Sequence, residues 1–370
     1  MHRVLLLGGY GAFGARIAER LARAPQIELT LAGRSLERAG ELARRLSAGG
    51  QAAVVPAALD AARIDADELR QRRPQVLINA SGPYQGQDYR LARACIAAGA
   101  HYVDLADARG FVTGIGALDA DARAAGVLVV SGASTVPALS AAVIDACAHR
   151  FAPLIRIGIV ISPGNSFDPG LATTQSILST LGRPFNVARR AAPATAAAYG
   201  WQPLRRRIVP GLGGRWLGAC DVPDLDLFPQ RYPGLETVEV DAALEVGAFH
   251  LGLWGLSWLV RAGLVAKPER LARPLLALKR RLRFLGSDRG GMAVMLEGRD
   301  PAGKPLRLDW RLIARQGHGP YIPATPAVLL AKRLLAGGLT ARGAMPCLGL
   351  FTLGEFLAEV ADLDIAAELA

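Results

Sequence analysis

The chain is poor in cysteine and histidine, and both shortages narrow its chemistry. Four cysteines (Cys95, Cys147, Cys220 and Cys347) are scattered over 370 residues without a Cys-x-x-Cys pair or a Cys/His metal spacing. That pattern excludes a zinc-finger-type module and gives no basis for a disulfide framework. The five histidines also stand singly, so no resident metal is expected. No tyrosine is followed four positions later by lysine, which removes the Tyr-x-x-x-Lys proton relay, and no Gly-x-Ser-x-Gly elbow occurs. The strongly apolar stretch Val246 to Val260 is shorter than the about 20 residues needed to span a membrane. Linker-like Pro/Ser/Gln bias and internal repeats are missing too.

What is present is an ordinary globular composition, with 51% hydrophobic and 20% charged residues. A chain of this length exceeds one ordinary core, so two domains are expected. The net charge of +11 comes mostly from arginine, and such a balance attracts anionic ligands or surfaces. No stripe of aromatic and basic residues suits base stacking, so nucleic acid is not expected as a partner. The opening MHRVLLLGGYG passes directly into a strand and a glycine turn. It has no signal-peptide character, and a cytoplasmic protein is expected.

Short apolar runs alternate with amphipathic stretches over the first part of the chain. Arg3–Leu7 and Ile27–Gly33 read as strands, with helices over about 12–23 and 36–46. AAVVP, QVLINAS, HYVDLAD and GVLVVSG supply further strands. Uniformly apolar strands separated by helices indicate a doubly wound parallel sheet covered on both faces. Residues 1–134 are assigned to this α/β unit. The segment 135–321 changes rhythm: LIRIGIVIS and ETVEVDAALEV read as strands, and MAVMLEGRD with LRLDWRLIA as a hairpin around PAGKP. An α+β domain with a mixed or antiparallel sheet follows, serving substrate or dimer contacts. The chain from Thr325 onward reads as mostly helical, and the tail 322–370 as able to pack back on the first unit.

Gly9-Tyr10-Gly11-Ala12-Phe13-Gly14 matches G-x-G-x-x-G between a strand and a helix. In that context Gly9 permits a tight turn, Gly11 admits a pyrophosphate, and Gly14 lets helix and strand approach. The helix amino terminus offers free amides and a partial positive charge to phosphates. This is a Rossmann-type dinucleotide site. The second strand ends in Gly33, Arg34 and Ser35 rather than an acid that would accept from a ribose 2′-hydroxyl. A guanidinium and a hydroxyl suit a 2′-phosphate, so NADP(H) is favoured over NAD(H).

The blocks GGYGAFG, LAGRS and VLINASGPYQGQDYRLARACIAAGAHYVDLAD resemble the saccharopine dehydrogenase-like family of oxidoreductases over about the first 135 residues. The resemblance implies an NADP-binding Rossmann domain and a second domain with a mixed sheet. It covers acceptors as different as amino-acid-derived imines and enoyl lipids. By position it places Leu59 and Asp60 beside the adenine, and Ala80, Ser81, Gly82 and Pro83 under the nicotinamide ribose.

Three side chains on strand-end loops are candidates for managing the proton that accompanies hydride transfer: Tyr84, Asp104 and Asp107. Tyr84 can instead be a packed aromatic, and the two aspartates turn or helix caps. Ser131, Ser134 and Thr135 follow the next strand. In the second domain the apolar segment 246–260 is followed by a basic one reaching residue 283. The pair is either a core or dimer helix with a solvated face, or an interfacial segment at the inner face of a membrane. Arg205, Arg206 and Arg207 are consecutive and cannot all face one pocket on a strand. The expected activity is an NADPH-dependent reductase acting on a small carbonyl, imine or enoyl compound, apolar in one reading. The alternative is a non-catalytic NADP(H)-sensing protein bound to a partner or membrane. A homodimer is the default assembly.

Overall fold

The computed structural model describes residues 1–187 and 196–370. They divide into one unit of Met1–Leu139 with Pro320–Phe351, and another of Ser140–Gly319 with Thr352–Ala370. The boundary thus falls after Leu139, five residues beyond the position the sequence indicated.

The first unit runs β1 (His2–Leu7), α1 (Gly14–Leu21), β2 (Ile27–Gly33), α2 (Leu36–Gly49), β3 (Ala53–Ala58), α3 (Ala66–Arg72) and β4 (Val76–Asn79). It continues with α4 (Arg90–Ala98), β5 (His101–Asp104), α5 (Arg109–Thr113), α6 (Asp119–Ala124) and β6 (Leu128–Ser131). These strands pair in parallel in the order β6-β5-β4-β1-β2-β3. The cores of β1, β4 and β6 are buried throughout, because helices cover both faces. α1 turns Ile17, Ala18 and Leu21 inward. Ser35 caps α2 by accepting from the Arg38 amide at 3.3 Å, and Asp65 caps α3 at 2.9 Å. The chain steps outward from β1 to β2 and β3, then crosses back to β4. The switch point between β1 and β4 is where an open α/β sheet leaves a crevice at its carboxyl edge.

The second unit contains α7 (Ser140–Ala148), β7 (Leu154–Ser162), α8 (Gly170–Thr180), β8 (Pro184–Val187), β9 (Ala196–Tyr199), β10 (Arg205–Val209) and β11 (Gly213–Ala219). Then come α9 (Asp224–Arg231), β12 (Thr237–Ala242), α10 (Gly247–Arg261), α11 (Ala272–Arg281), β13 (Gly290–Arg299) and β14 (Pro305–Ala314). β12 and β7 are parallel, whereas β10-β11, β11-β12, β7-β13 and β13-β14 are antiparallel, which makes a mixed sheet. The β13–β14 hairpin appears where the sequence placed it. β8 and β9 form a separate antiparallel ribbon.

Beyond residue 319 the chain serves both units. α12 (Tyr321–Leu335) packs on α1, and β15 (Gly343–Pro346) extends the first sheet in parallel beside β6. α13 (Leu353–Glu359) and β16 (Ile365–Leu369) belong to the second unit, where β16 pairs antiparallel with β14. The expectation of one mostly helical return over 322–370 therefore needs correction. Two strands lie in it, and residues 352–370 complete the second sheet, because the edge of β14 offers backbone partners that short apolar runs do not announce.

Candidate functional site

The first sheet's carboxyl edge is shaped by glycines with almost no room for a side chain. Gly8, not Gly9, takes the left-handed turn, with φ +71°, and a Cβ there would meet the Ala80 carbonyl oxygen at 2.7 Å. Gly9 is needed for a different reason: its Cβ would strike the Leu31 side chain at 2.9 Å. At Gly14 a Cβ would fall 2.1 Å from the Gly8 carbonyl oxygen, so α1 starts directly against the turn. Gly11 donates its amide to that same oxygen at 2.8 Å. The amides of Tyr10 and Ala12 have no acceptor among the described residues. Two free donors beside a helix amino terminus, with Phe13 at its N-cap, form an anion cradle.

At the end of β2, Gly33 and Tyr10 are packed against one another. Tyr10 Oη accepts from the Ser35 amide at 2.9 Å, and the Arg38 guanidinium lies 4.6 Å from the Tyr10 ring centroid. Arg34 and Arg38 are both exposed, and neither has a carboxylate partner among the described residues. Ser35 Oγ accepts at the helix cap and retains its hydroxyl hydrogen for a further acceptor. Two free cations and a hydroxyl around one turn suit a phosphate monoester better than a ribose hydroxyl.

The neighbouring strand ends complete the edge. The Leu59 amide donates to the Gly33 carbonyl at 2.9 Å, and Asp60 closes the next turn by accepting from the Ala62 amide at 3.1 Å. Ala80 donates to the Leu7 carbonyl at 2.9 Å, which ties β4 to the glycine turn. Ser81 donates both its amide and its hydroxyl to Asn79 Oδ1, and Gly82–Pro83 is a cis peptide. The glycine cradle, the free amides and the unpaired cations fit an NADP(H) molecule.

Comparison with known proteins agrees. Residues 4–130 match the family model described as the saccharopine dehydrogenase NADP binding domain. The amino-terminal domain is therefore similar to that NADP-binding domain. The whole chain is similar in fold to apo histidine-tagged saccharopine dehydrogenase (L-Glu forming) from Saccharomyces cerevisiae. That similarity covers 100% of each chain at 14% identity and a TM-score of 0.67. It is also similar to amine dehydrogenase from Mycobacterium smegmatis, over 94% of each chain at 16% identity and a TM-score of 0.50. Identities this low carry the fold and not the substrate. No curated protein matches the sequence.

Within the saccharopine dehydrogenase-like domain, the three proton-handling candidates have unequal surroundings. Tyr84 is buried against Phe111, and its hydroxyl donates to the Asn79 carbonyl at 2.5 Å. Burial, then the nearby Asp104 charge, push its pKa well above the usual phenol value. Asp104 is fully buried, and its Oδ1 accepts from the Ala106 amide, the Ser131 hydroxyl and the Gly132 amide, each at 2.9 Å. Burial outweighs these bonds and raises its carboxyl to about 6. Asp107 is half-buried and accepts from Gln85 Nε2 at 3.2 Å, which links the loops after β4 and β5. Ser131 is thus a partner of Asp104, while Ser134 and Thr135 begin the turn into α7. Gly8 and Arg38 were not singled out in the sequence. Gly8 was legible as the first glycine of a Gly-Gly pair; Arg38, four residues beyond Arg34 in the first turn of α2, needed the position of Tyr10.

Proposed function

We propose that this chain is an NADPH-dependent reductase of the saccharopine dehydrogenase-like group, acting on a small carbonyl, imine or enoyl compound of apolar character. The observation that carries the NADPH preference is the pair of exposed cations without a carboxylate partner, Arg34 and Arg38, at the end of β2. In this reading they hold the 2′-phosphate with Ser35, and the Tyr10 and Ala12 amides with the start of α1 receive the pyrophosphate. Leu59 and Asp60 border the adenine, and Ala80 to Pro83 the nicotinamide ribose. NADPH supplies the hydride. Asp107 is the accessible carboxyl of the three candidates and serves the proton. Tyr84 and Asp104, whose hydrogen bonds go to main chain and Ser131, fix the loops that carry it.

An apolar acceptor is favoured over a dicarboxylic one by the fate of the arginine run. Arg205 is already paired with Glu239 at 3.2 Å and Asp241 at 2.8 Å, and Arg206 lies over the Trp216 ring. Arg205, with both carboxylates on it, is not free to clamp an amino-diacid. The reading is tested by fluorescence titration with NADPH and NADH, on the parent and on Arg34→Ala. Tight NADPH binding that Arg34→Ala weakens, with NADH unchanged, supports it and directs a screen of enoyl and imine acceptors. Equal binding of both cofactors by the parent overturns the phosphate assignment.

A further inference from the structure

α10 is built inside out. Its sequence, GAFHLGLWGLSWLVR, is apolar on every side, yet its two buried residues are the polar ones, His250 and Ser257. His250 packs against the Trp201 ring at 4.9 Å, and Ser257 accepts from Gln202 at 2.9 Å. Meanwhile Trp258 is 46% and Leu259 45% exposed, although a soluble surface helix ordinarily shows its polar face to water. Leu253, Leu256 and Val260 of α10 join Ala272 and Leu275 of α11 in one core cluster with Leu178, so both helices use one side for packing.

The two helices are tied together at both ends. Residues 262–271 connect them at one end. At the other, Glu245, just before α10, accepts from the Ser287 amide and hydroxyl just after α11. Exposed apolar side chains lie on both helices and next to them: Trp258 and Leu259 on α10, Leu278 on α11, and Leu264 and Phe284, which are 74% and 73% exposed. An exposed apolar face of this kind marks an interaction surface. The segment 246–286 carries eight cations and the single carboxylate of Glu269. Lys267, Arg270, Arg273, Arg281 and Arg283 have no anionic partner among the described residues.

We propose that the outer face of α10 and α11 docks on an anionic lipid bilayer, with Trp258, Leu264 and Phe284 entering the headgroup boundary and the free cations meeting lipid phosphates. Large aromatic and aliphatic side chains combined with unpaired cations are the composition of an interfacial segment. A second copy of this chain is a poor occupant, because a two-fold contact would set the same cations against themselves. Spanning is excluded by length: α10 has 15 residues, about 22 Å of helix against a hydrocarbon core of about 30 Å. No helix among the described residues is long and apolar enough to cross a membrane.

The test is sedimentation of the full chain with vesicles of phosphatidylcholine alone or mixed with phosphatidylglycerol. Binding is expected to the anionic vesicles, weakened by salt. Arg270→Gln/Arg273→Gln/Arg281→Gln is expected to lower that partition on the order of 100-fold. Trp258→Ser/Phe284→Ser should lower it as well, and both variants should keep their thermal unfolding and NADPH titration. Equal partition on neutral and anionic vesicles, or no partition by the folded parent, overturns the proposal. So does size-exclusion chromatography that shows a dimer abolished by Trp258→Ser/Phe284→Ser. NADPH binding is read separately, so failure of the lipid surface leaves the cofactor site untouched, and the reverse.

Discussion

The Tyr10 ring occupies the space that a side chain at Gly33 would need: a Cβ at Gly33 would lie 2.4 Å from the ring and 2.8 Å from its hydroxyl. The same hydroxyl accepts from the Ser35 amide, and Arg38 stacks on the same ring. One glycine therefore sets the position of the aromatic that organises the end of β2. Gly33→Ala should push Tyr10 off the strand, free the Ser35 amide and release Arg38. With one hydrogen bond and one cation–π contact worth about 1 kcal/mol each, NADPH affinity should fall about tenfold or more. Fluorescence titration reads this directly, and unchanged affinity would show that Tyr10 is not part of the cradle.

Arg34 and Arg38 should act together on NADPH and be silent on NADH. A hydrogen bond to a charged group is worth about 1.5–3 kcal/mol, so each alanine variant should weaken NADPH binding roughly 10- to 100-fold. The double variant should bind the two cofactors nearly alike. Because both guanidiniums are exposed, the NADPH preference should also shrink as salt is raised. A preference for NADPH that survives the double substitution would place the phosphate elsewhere.

The first unit was readable because its backbone demands are local. Glycines at fixed offsets and apolar strands buried on both sides announce themselves within a few residues. The second unit was read less completely for physical reasons. β10 begins with three arginines, and Arg206, Arg207 and Ile208 are exposed, so no apolar alternation marks the strand; pairing with β11 makes it one. β16 is nearly as plain and exists through the open edge of β14. The apolar segment from Val246 was open to a core or dimer helix, slightly favoured, and to an interfacial helix, since periodicity cannot say which side faces water. Only the burial of His250 and Ser257 decides that.

Gly14 gives a stability prediction within the cofactor motif. A Cβ at this position would stand 2.1 Å from the Gly8 carbonyl oxygen and 2.9 Å from Gly9 Cα, both parts of the main chain. Backbone cannot swing aside as the end of a side chain can, so Gly14→Ala must lift α1 away from the turn. Overpacking of this kind costs typically about 1–3 kcal/mol. Urea unfolding should show that loss, and added NADPH should stabilise the variant much less than the parent, because the lifted helix no longer presents its amino terminus. By contrast Gly40, whose Cβ would meet nothing within 4 Å, should accept alanine without loss.

Asp224, at the start of α9 in the second unit, provides a pH signature. It is fully buried, accepts from the Ser140 hydroxyl at 2.5 Å, and has a second oxygen, Oδ2, without a hydrogen-bond partner. Burial raises its carboxyl to about 7. The folded state then holds the proton more tightly than the unfolded chain, whose aspartate titrates near 3.9. Below about pH 4 both states are protonated and the group costs nothing. As pH rises toward 7 the unfolded chain ionises first, and stability falls by up to about 4 kcal/mol. Asp224→Asn removes that titration while keeping an oxygen for Ser140. The variant's stability relative to the parent should therefore rise across about pH 4 to 7 and level off above it. A difference that stays flat over that range in urea unfolding would mean that the buried carboxyl ionises as freely in the folded protein as in the unfolded one.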